Sequence, residues 1–140
     1  MSNGPTISGI YYEEFSNFYN SPFKINSVEF SCTEQYFQYR KCHNNPDLQK
    51  QILQETDPKK MWSIGKNCTL PTDWEIIKGD VMLYANMNKF SQNEELGLIL
   101  VNTGNAAIIF NKNGGEPDYW DTMNKNILET IRKAVKLNNL

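Results

Sequence analysis

Residues 33–43 read Thr33-Glu34-Gln35-Tyr36-Phe37-Gln38-Tyr39-Arg40-Lys41-Cys42-His43, and they mark where the chain changes character. Upstream it reads as strands and turns; from here on helices dominate. The segment predicts a helix that begins near Ser31 or Thr33 and runs to about His43. Glu34, Gln38 and Lys41 stand at i, i+4 and i+7, so they share one face about two turns long. Tyr36, Phe37 and Tyr39 take the other directions. A carboxylate, an amide and an amine in a row, on a helix otherwise sheathed in rings, can line a pocket. A plainer reading stands beside it. Ser31-Cys32-Thr33-Glu34 fits a capping box in which Glu34 returns to the Ser31 backbone, leaving Gln38 and Lys41 in solvent.

Upstream, Phe23-Lys24-Ile25 and Val28-Glu29-Phe30 alternate apolar and polar residues around Asn26-Ser27, the pattern of a hairpin. Ile10-Tyr11-Tyr12 is a short β-prone run. Between them, residues 15–22 form a loop so rich in aromatics that it is either packed under or functional. Downstream, Asn45-Pro46 and Asp57-Pro58 each open a helix, the second ending at Gly65. The longest helix is predicted from Thr72 to about Phe90, with Thr72-Asp73-Trp74-Glu75 as a capping box. Its apolar face is Trp74, Ile77, Val81 and Ala85, with Leu83 and Tyr84 beside it. Asn93 caps the next helix, which carries Leu96, Ile99 and Leu100 and stops at Gly104. Residues 107–110 read as a short buried strand. A turn-rich stretch from Asn111 to Asp118 leads to Trp120 and a last amphipathic helix, Thr122 to Leu137. The expected fold class is α+β: one compact, mostly helical domain over residues 1–140 with a few short strands.

Size and composition fit this. The chain has 140 residues, the length of one ordinary domain, and can bury roughly two-thirds of its unfolded surface without staples. No apolar run approaches the ~18–20 residues of a membrane span, and the first residues show no secretory signal. We therefore expect a cytoplasmic protein with no membrane partner. Fourteen basic residues face sixteen acidic ones, a net charge of −2, which argues against broad nucleic-acid binding. Three cysteines, Cys32, Cys42 and Cys68, an odd number without paired spacing, argue against a disulfide framework. With His43 the only histidine, we expect no metal and no cofactor.

Other candidates are weaker. Lys78 stands one turn after Asp73-Trp74 and faces water in the plain reading. Lys89 looks like a basic residue answering the dipole at a helix end. Asp118-Tyr119-Trp120-Asp121 reads either as a ligand clamp or as an anchored Trp between two solvated acids.

Taken in order, these motifs resemble the NADAR, or YbiA-like, family. The resemblance rests on Phe15-Ser16-Asn17-Phe18-Tyr19, Ser21-Pro22-Phe23, Thr33 to Gln38 with Lys41, Ile64-Gly65, Asp73-Trp74, Lys78, Val81-Met82, Ala85, Lys89-Phe90, Gln92-Asn93, Leu96, Leu100 and Thr103-Gly104. It implies a small helix-rich α+β fold and an N-glycosidase. Family members hydrolyse the C–N bond of early riboflavin-pathway intermediates, phosphoribosylamino-pyrimidines, giving ribose 5-phosphate and a free aminopyrimidine. Others remove ADP-ribose from guanine bases.

On that footing Glu34 and Lys41 are the expected catalytic residues. A carboxylate stabilises positive charge at the anomeric carbon and activates water. Lys41, neutral in an aromatic pocket, can capture an opened ribose as a Schiff base. Gln38 positions a ribose hydroxyl or the base edge. Ser16 and Asn17 hold polar groups, Phe18 or Tyr19 stacks on the base, and Lys78 or Lys66 meets a phosphate. Trp74, Asp118, Trp120 and Asp121 complete the expected substrate-binding set. The chain also departs from the family. Phe110 stands where a carboxylate is usual, Asp118 or Asp121 being the candidates to restore the charge. Asn126-Ile127-Leu128-Glu129 keeps the family's asparagine but replaces a glycine.

Three readings follow. The first is a riboflavin-intermediate N-glycosidase with a small-molecule substrate. The second is a guanine ADP-ribosyl hydrolase, the one case that brings in a nucleic-acid partner. The third is a non-catalytic binder of ribose phosphates or ADP-ribose. No residue pattern specifies an oligomeric state.

Overall fold

The computed structural model describes residues 3–111 and 115–138. Part of the turn-rich stretch read from Asn111 to Asp118 lies outside the described residues. The fold is α+β, with six helices and two small antiparallel sheets among the described residues. The chain enters through β1 (Thr6–Ile7) and β2 (Ile10–Tyr11), paired in register Thr6 with Tyr11 and Ile7 with Ile10. Ser8 and Gly9 turn between them at φ 51° and 78°, the left-handed conformation a two-residue hairpin needs. A 3-10 turn at Glu13–Phe15 follows. The hairpin read around Asn26-Ser27 is formed by β3 (Phe23–Ile25) and β4 (Val28–Phe30), with those two residues at φ 52° and 68°.

Helices α1 (Thr33–Lys41), α2 (Pro46–Gln54), α3 (Pro58–Gly65), α4 (Trp74–Gln92), α5 (Glu94–Val101) and α6 (Tyr119–Lys136) lie where the sequence places them, to within a turn. Asp57 caps α3, its side chain accepting from Lys59 N at 2.9 Å. Several start signals do not operate as read: Asn45 and Asn93 occupy the N-cap positions of α2 and α5 without a side-chain capping bond. At α4 the N-cap is Asp73, and no side chain caps the helix, so Thr72-Asp73-Trp74-Glu75 is not a working box. At α6 an unforeseen box forms: Asp118 accepts from Asp121 N at 2.7 Å and Asp121 accepts from Asp118 N at 3.1 Å. That reciprocal pair starts the helix at Tyr119 rather than Thr122. The strand read over 107–110 shrinks to β5 (Ile108–Ile109), with Ile108 buried and Ile109 exposed. It pairs with β1, giving the sheet order β2-β1-β5.

The core gathers Phe15, Phe30, Phe37, Trp74, Val81, Met82, Phe90, Leu100, Leu128 and Ile131, among others, between α1, α4 and α6. Tyr84 faces outward instead, and Leu83 is half-buried. Within this apolar interior sits a polar knot. Asn17, 5% exposed, leaves the aromatic loop and reaches three helices. Its Oδ1 accepts from Thr33 Oγ1 of α1 at 2.8 Å and from Asn86 Nδ2 of α4 at 3.1 Å. Its Nδ2 donates to Asn124 Oδ1 of α6 at 3.1 Å. Its backbone carbonyl accepts from Glu34 N at 3.0 Å. Ser16 Oγ accepts from Phe18 N at 3.0 Å and shapes the bend. The loop of residues 15–22 is thus packed under at Phe15, Ser16, Asn17 and Ser21, while Tyr19, Asn20 and Pro22 reach the surface.

Cutting this knot strands several buried polar groups at once. Asn17→Ala is expected to lower the unfolding free energy by roughly 2–4 kcal/mol in urea titrations. Asn126→Ala, on an exposed face of α6, should change it by no more than about 0.5 kcal/mol.

Candidate active site

Glu34 is wholly buried, at 0% exposure. It does not return to the Ser31 backbone, so the capping-box reading fails. The next residue does that work. Gln35 Oε1 accepts from Ser31 N at 2.7 Å and from Ser31 Oγ at 3.2 Å. Its Nε2 ties the end of α2, donating to Ile52 O at 2.9 Å and Glu55 O at 3.3 Å. Glu34 is thereby freed to turn inward. Its Oε2 accepts from Gln38 Nε2 at 2.7 Å, the i, i+4 contact its spacing implies. Among the described residues Glu34 Oε1 and Gln38 Oε1 have no hydrogen-bond partner. Unpartnered buried oxygens are rare in stable folds and mark places where something else is meant to donate.

The amide of Gln38 owes its position to Gly65. A Cβ on that glycine would lie 1.8 Å from Gln38 Oε1, so only glycine lets the carboxamide lie against the end of α3. Burial pushes the Glu34 carboxyl up to about 7; the Gln38 hydrogen bond and the charge of Lys41 act the other way without offsetting it. At neutral pH this group is part acid and part base, the condition for proton transfer. Lys41 lies at the end of α1 and is half-buried.

Phe37, on the same helix, lies between two indoles. Trp74 tilts onto it at 5.1 Å and Trp120 meets it edge-on at 5.2 Å between ring centroids. Trp74 is buried in the core, whereas Trp120 is half-buried. Lys66 follows Gly65 directly and lies 3.6 Å above the exposed Trp62 ring.

The structure thus links Asn17, Glu34 and Gln38 by hydrogen bonds, with Ser16 next to Asn17 in the chain, and sets Trp74 and Trp120 against Phe37. Phe18 is half-buried at the loop's tip. Lys78 is bonded to Glu75 at 2.6 Å and lies 4.5 Å above the Tyr119 ring, which meets Trp120 edge-on. Asp118 and Asp121 spend their carboxylates on the start of α6. Each uses one carboxylate oxygen in that box, and Asp121 lines a surface groove together with Phe110, which packs against the core.

Sequence reasoning passed over two residues of the polar interior, Asn86 and Asn124, and read a third, Lys89, only as a helix-end cation; all three are buried. Each sits at a core position of its helix. Asn124 is four residues before Leu128, and Asn86 four after Met82, so a polar residue on the apolar face was the available signal. The asparagine of α6 that joins the knot is Asn124; Asn126 is exposed.

The chain matches the NADAR domain model over residues 8–131. It is 35% identical to protein irg-1 of Caenorhabditis elegans, an alignment covering 71% of this chain and 58% of irg-1. It is 31% identical to the N-glycosidase YbiA of Shigella flexneri, covering 70% of this chain and 62% of YbiA. It therefore spans about three-fifths of the length of these relatives. The solved NMR structure of Escherichia coli YbiA superposes with a TM-score of 0.79 at 25% identity, over 91% of this chain and 80% of that one.

The buried acid leaves a signature in stability. Between the ordinary 4.5 and about 7 the folded chain keeps a proton on Glu34 that the unfolded chain releases. Its contribution is full below 4.5 and is lost as pH rises through 7. Relative to wild type, Glu34→Gln is therefore expected to gain roughly 1–3 kcal/mol between pH 4.5 and 8 in urea unfolding. A difference between the two proteins that does not vary with pH would refute the shift. The family model and the fold agree, and the chain belongs to the NADAR domain family.

Proposed function

We propose that this chain is an N-glycosidase acting on a ribose joined to nitrogen at its anomeric carbon. The substrate is the phosphoribosylamino-pyrimidine of early riboflavin synthesis that the family resemblance implies. One observation carries the reading: a wholly buried carboxyl, displaced to about 7, bonded on one oxygen and unpartnered on the other among the described residues. The relatives named N-glycosidase YbiA support the reaction class.

In this mechanism the C–N bond breaks and the electron pair leaves with the base. Positive charge develops at the anomeric carbon, and the ionised Glu34 faces it across a site of low polarity, where the attraction is strongest. Glu34 Oε1 takes the proton of the attacking water and passes it to the departing nitrogen, while Gln38 Nε2 holds Oε2 in place. The hydroxyl bonds to carbon, and ribose 5-phosphate and the aminopyrimidine are the products. Lys41 offers a covalent detour. Its amine adds to the ring-opened C1 imine, the C–N bond to the aminopyrimidine breaks as that amine leaves, and water hydrolyses the resulting Schiff base to ribose 5-phosphate and free Lys41. The 5-phosphate falls to Lys66, which follows the glycine that Gln38 touches. The net charge of −2 favours a small substrate over long polynucleotide contacts.

Purified protein should release free aminopyrimidine from the phosphoribosylamino-pyrimidine, followed by chromatography. Turnover should rise with pH through about 7, as Glu34 ionises. Glu34→Gln should cut it by ~100-fold or more and flatten the profile. Borohydride quenching should leave a mass adduct on wild type that Lys41→Ala lacks if the covalent route is used. Release from ADP-ribosylated guanine alone would move the substrate to the second reading. Ligand-induced thermal stabilisation without any product would make the chain a binder.

A further inference from the structure

One buried titratable group has no part in this mechanism. Lys89 of α4 is 1% exposed, with its side chain turned into the core. It lies in the last turn of α4, which ends at Gln92, but its side chain turns into the core rather than toward the open helix end. Its Nζ donates to the Ser16 carbonyl at 3.0 Å and lies 5.8 Å from the Tyr19 ring centroid and 5.4 Å from that of Phe90. Stripping an ammonium of water is costly, and a methionine of similar length would fill the space without that cost. The next carbonyl along the loop, Asn17 O, receives the backbone N–H of Glu34. Two consecutive carbonyls of one loop thus join the ammonium of Lys89 to the first turn of α1.

We propose that Lys89 is a positioning residue of the glycosidase site: its ammonium grips the Ser16 carbonyl and so sets the Ser16–Tyr19 loop against Glu34, with Phe18 and Tyr19 held for the substrate's base. The kinetic part of this inference rests on the proposed function; the placement of the loop does not. The groups that face the amine are Glu14 from the 3-10 turn, Cys32 at the start of α1 and Tyr19 from the loop. Burial brings Lys89 down to about 7, while Cys32 and Glu14 pull it upward. Loss of its proton as pH rises through that value removes the charge and weakens the grip. This runs opposite to Glu34, which becomes a competent base over the same range. Rising pH should therefore improve kcat and worsen KM.

The test measures kcat and KM from pH 5.5 to 9 for wild type, Lys89→Met and Lys89→Arg. Wild type is expected to show KM rising above pH 7, by tenfold or more at pH 9. Lys89→Met should show the raised KM at every pH, and Lys89→Arg, charged throughout, a low and flat one. Amide 15N–1H shifts of Asn17 and Phe18, recorded in a Glu34→Gln background so that one buried group titrates near 7, read the loop without substrate. They should titrate with Lys89 present and lie flat with Arg in its place. Amides that do not titrate overturn the proposal, as does a pH-independent wild-type KM. If no hydrolysis is found, the proposed function fails and the amide shifts alone decide the loop's control. Should Lys89→Met not fold, wild type and Lys89→Arg still carry both readouts.

Discussion

Everything near the site depends on one side chain amide. Asn17 makes three buried side-chain hydrogen bonds, to Thr33, Asn86 and Asn124, and so fixes α1, α4 and α6 around a common point. Asn17 and Asn124 are 107 residues apart in sequence. Its carbonyl also seats the N–H of Glu34, so the acid is oriented by the bonds that hold the helices together. A buried polar network of this kind is favourable only when its members are satisfied, which leaves little freedom in where the three helices lie. Gly65 adds the last constraint, closing α3 onto Gln38 and pressing that amide toward Glu34.

The arrangement is expensive in stability and useful for chemistry. A carboxyl raised to about 7 and an amine lowered to about 7 are both buried against their own preference. Cores tolerate such groups where function needs them, at a cost met by the surrounding apolar packing. Here that packing is largely aromatic. Phe37 is held between Trp74 and Trp120, and Phe15 stacks on Tyr12 and tilts onto Phe90. Burial keeps water from Glu34, and that exclusion is what displaces the acid.

Much of the fold was legible because its signals are local. Asn26-Ser27 turns a hairpin since both positions need positive φ, and Asn45-Pro46 and Asp57-Pro58 start helices by fixing their first turns. The sharing of a face by Glu34 and Gln38 was likewise a matter of helical spacing. What local reading could not reach was decided by partners far along the chain. Gln35 and Glu34 compete for the same backbone at Ser31, and the anchoring of Gln35 to Ile52 and Glu55 settles which one turns inward. Lys89 reads as a basic residue answering a helix dipole until Ser16 is known to lie above it. Asp118 and Asp121 form a cap that neither the clamp nor the solvated-acid reading included.

The central claim is that Glu34 is a buried acid poised near neutrality, and it can be measured without any substrate. Carboxyl 13C shifts of protein labelled at glutamate, with Glu34→Gln to assign the resonance, give its titration directly. The account predicts a midpoint near 7, well above the ordinary 4.5. A midpoint at or below 4.5 would mean that the carboxylate is solvated or ion-paired in solution, contradicting both the burial and the acid–base role built on it.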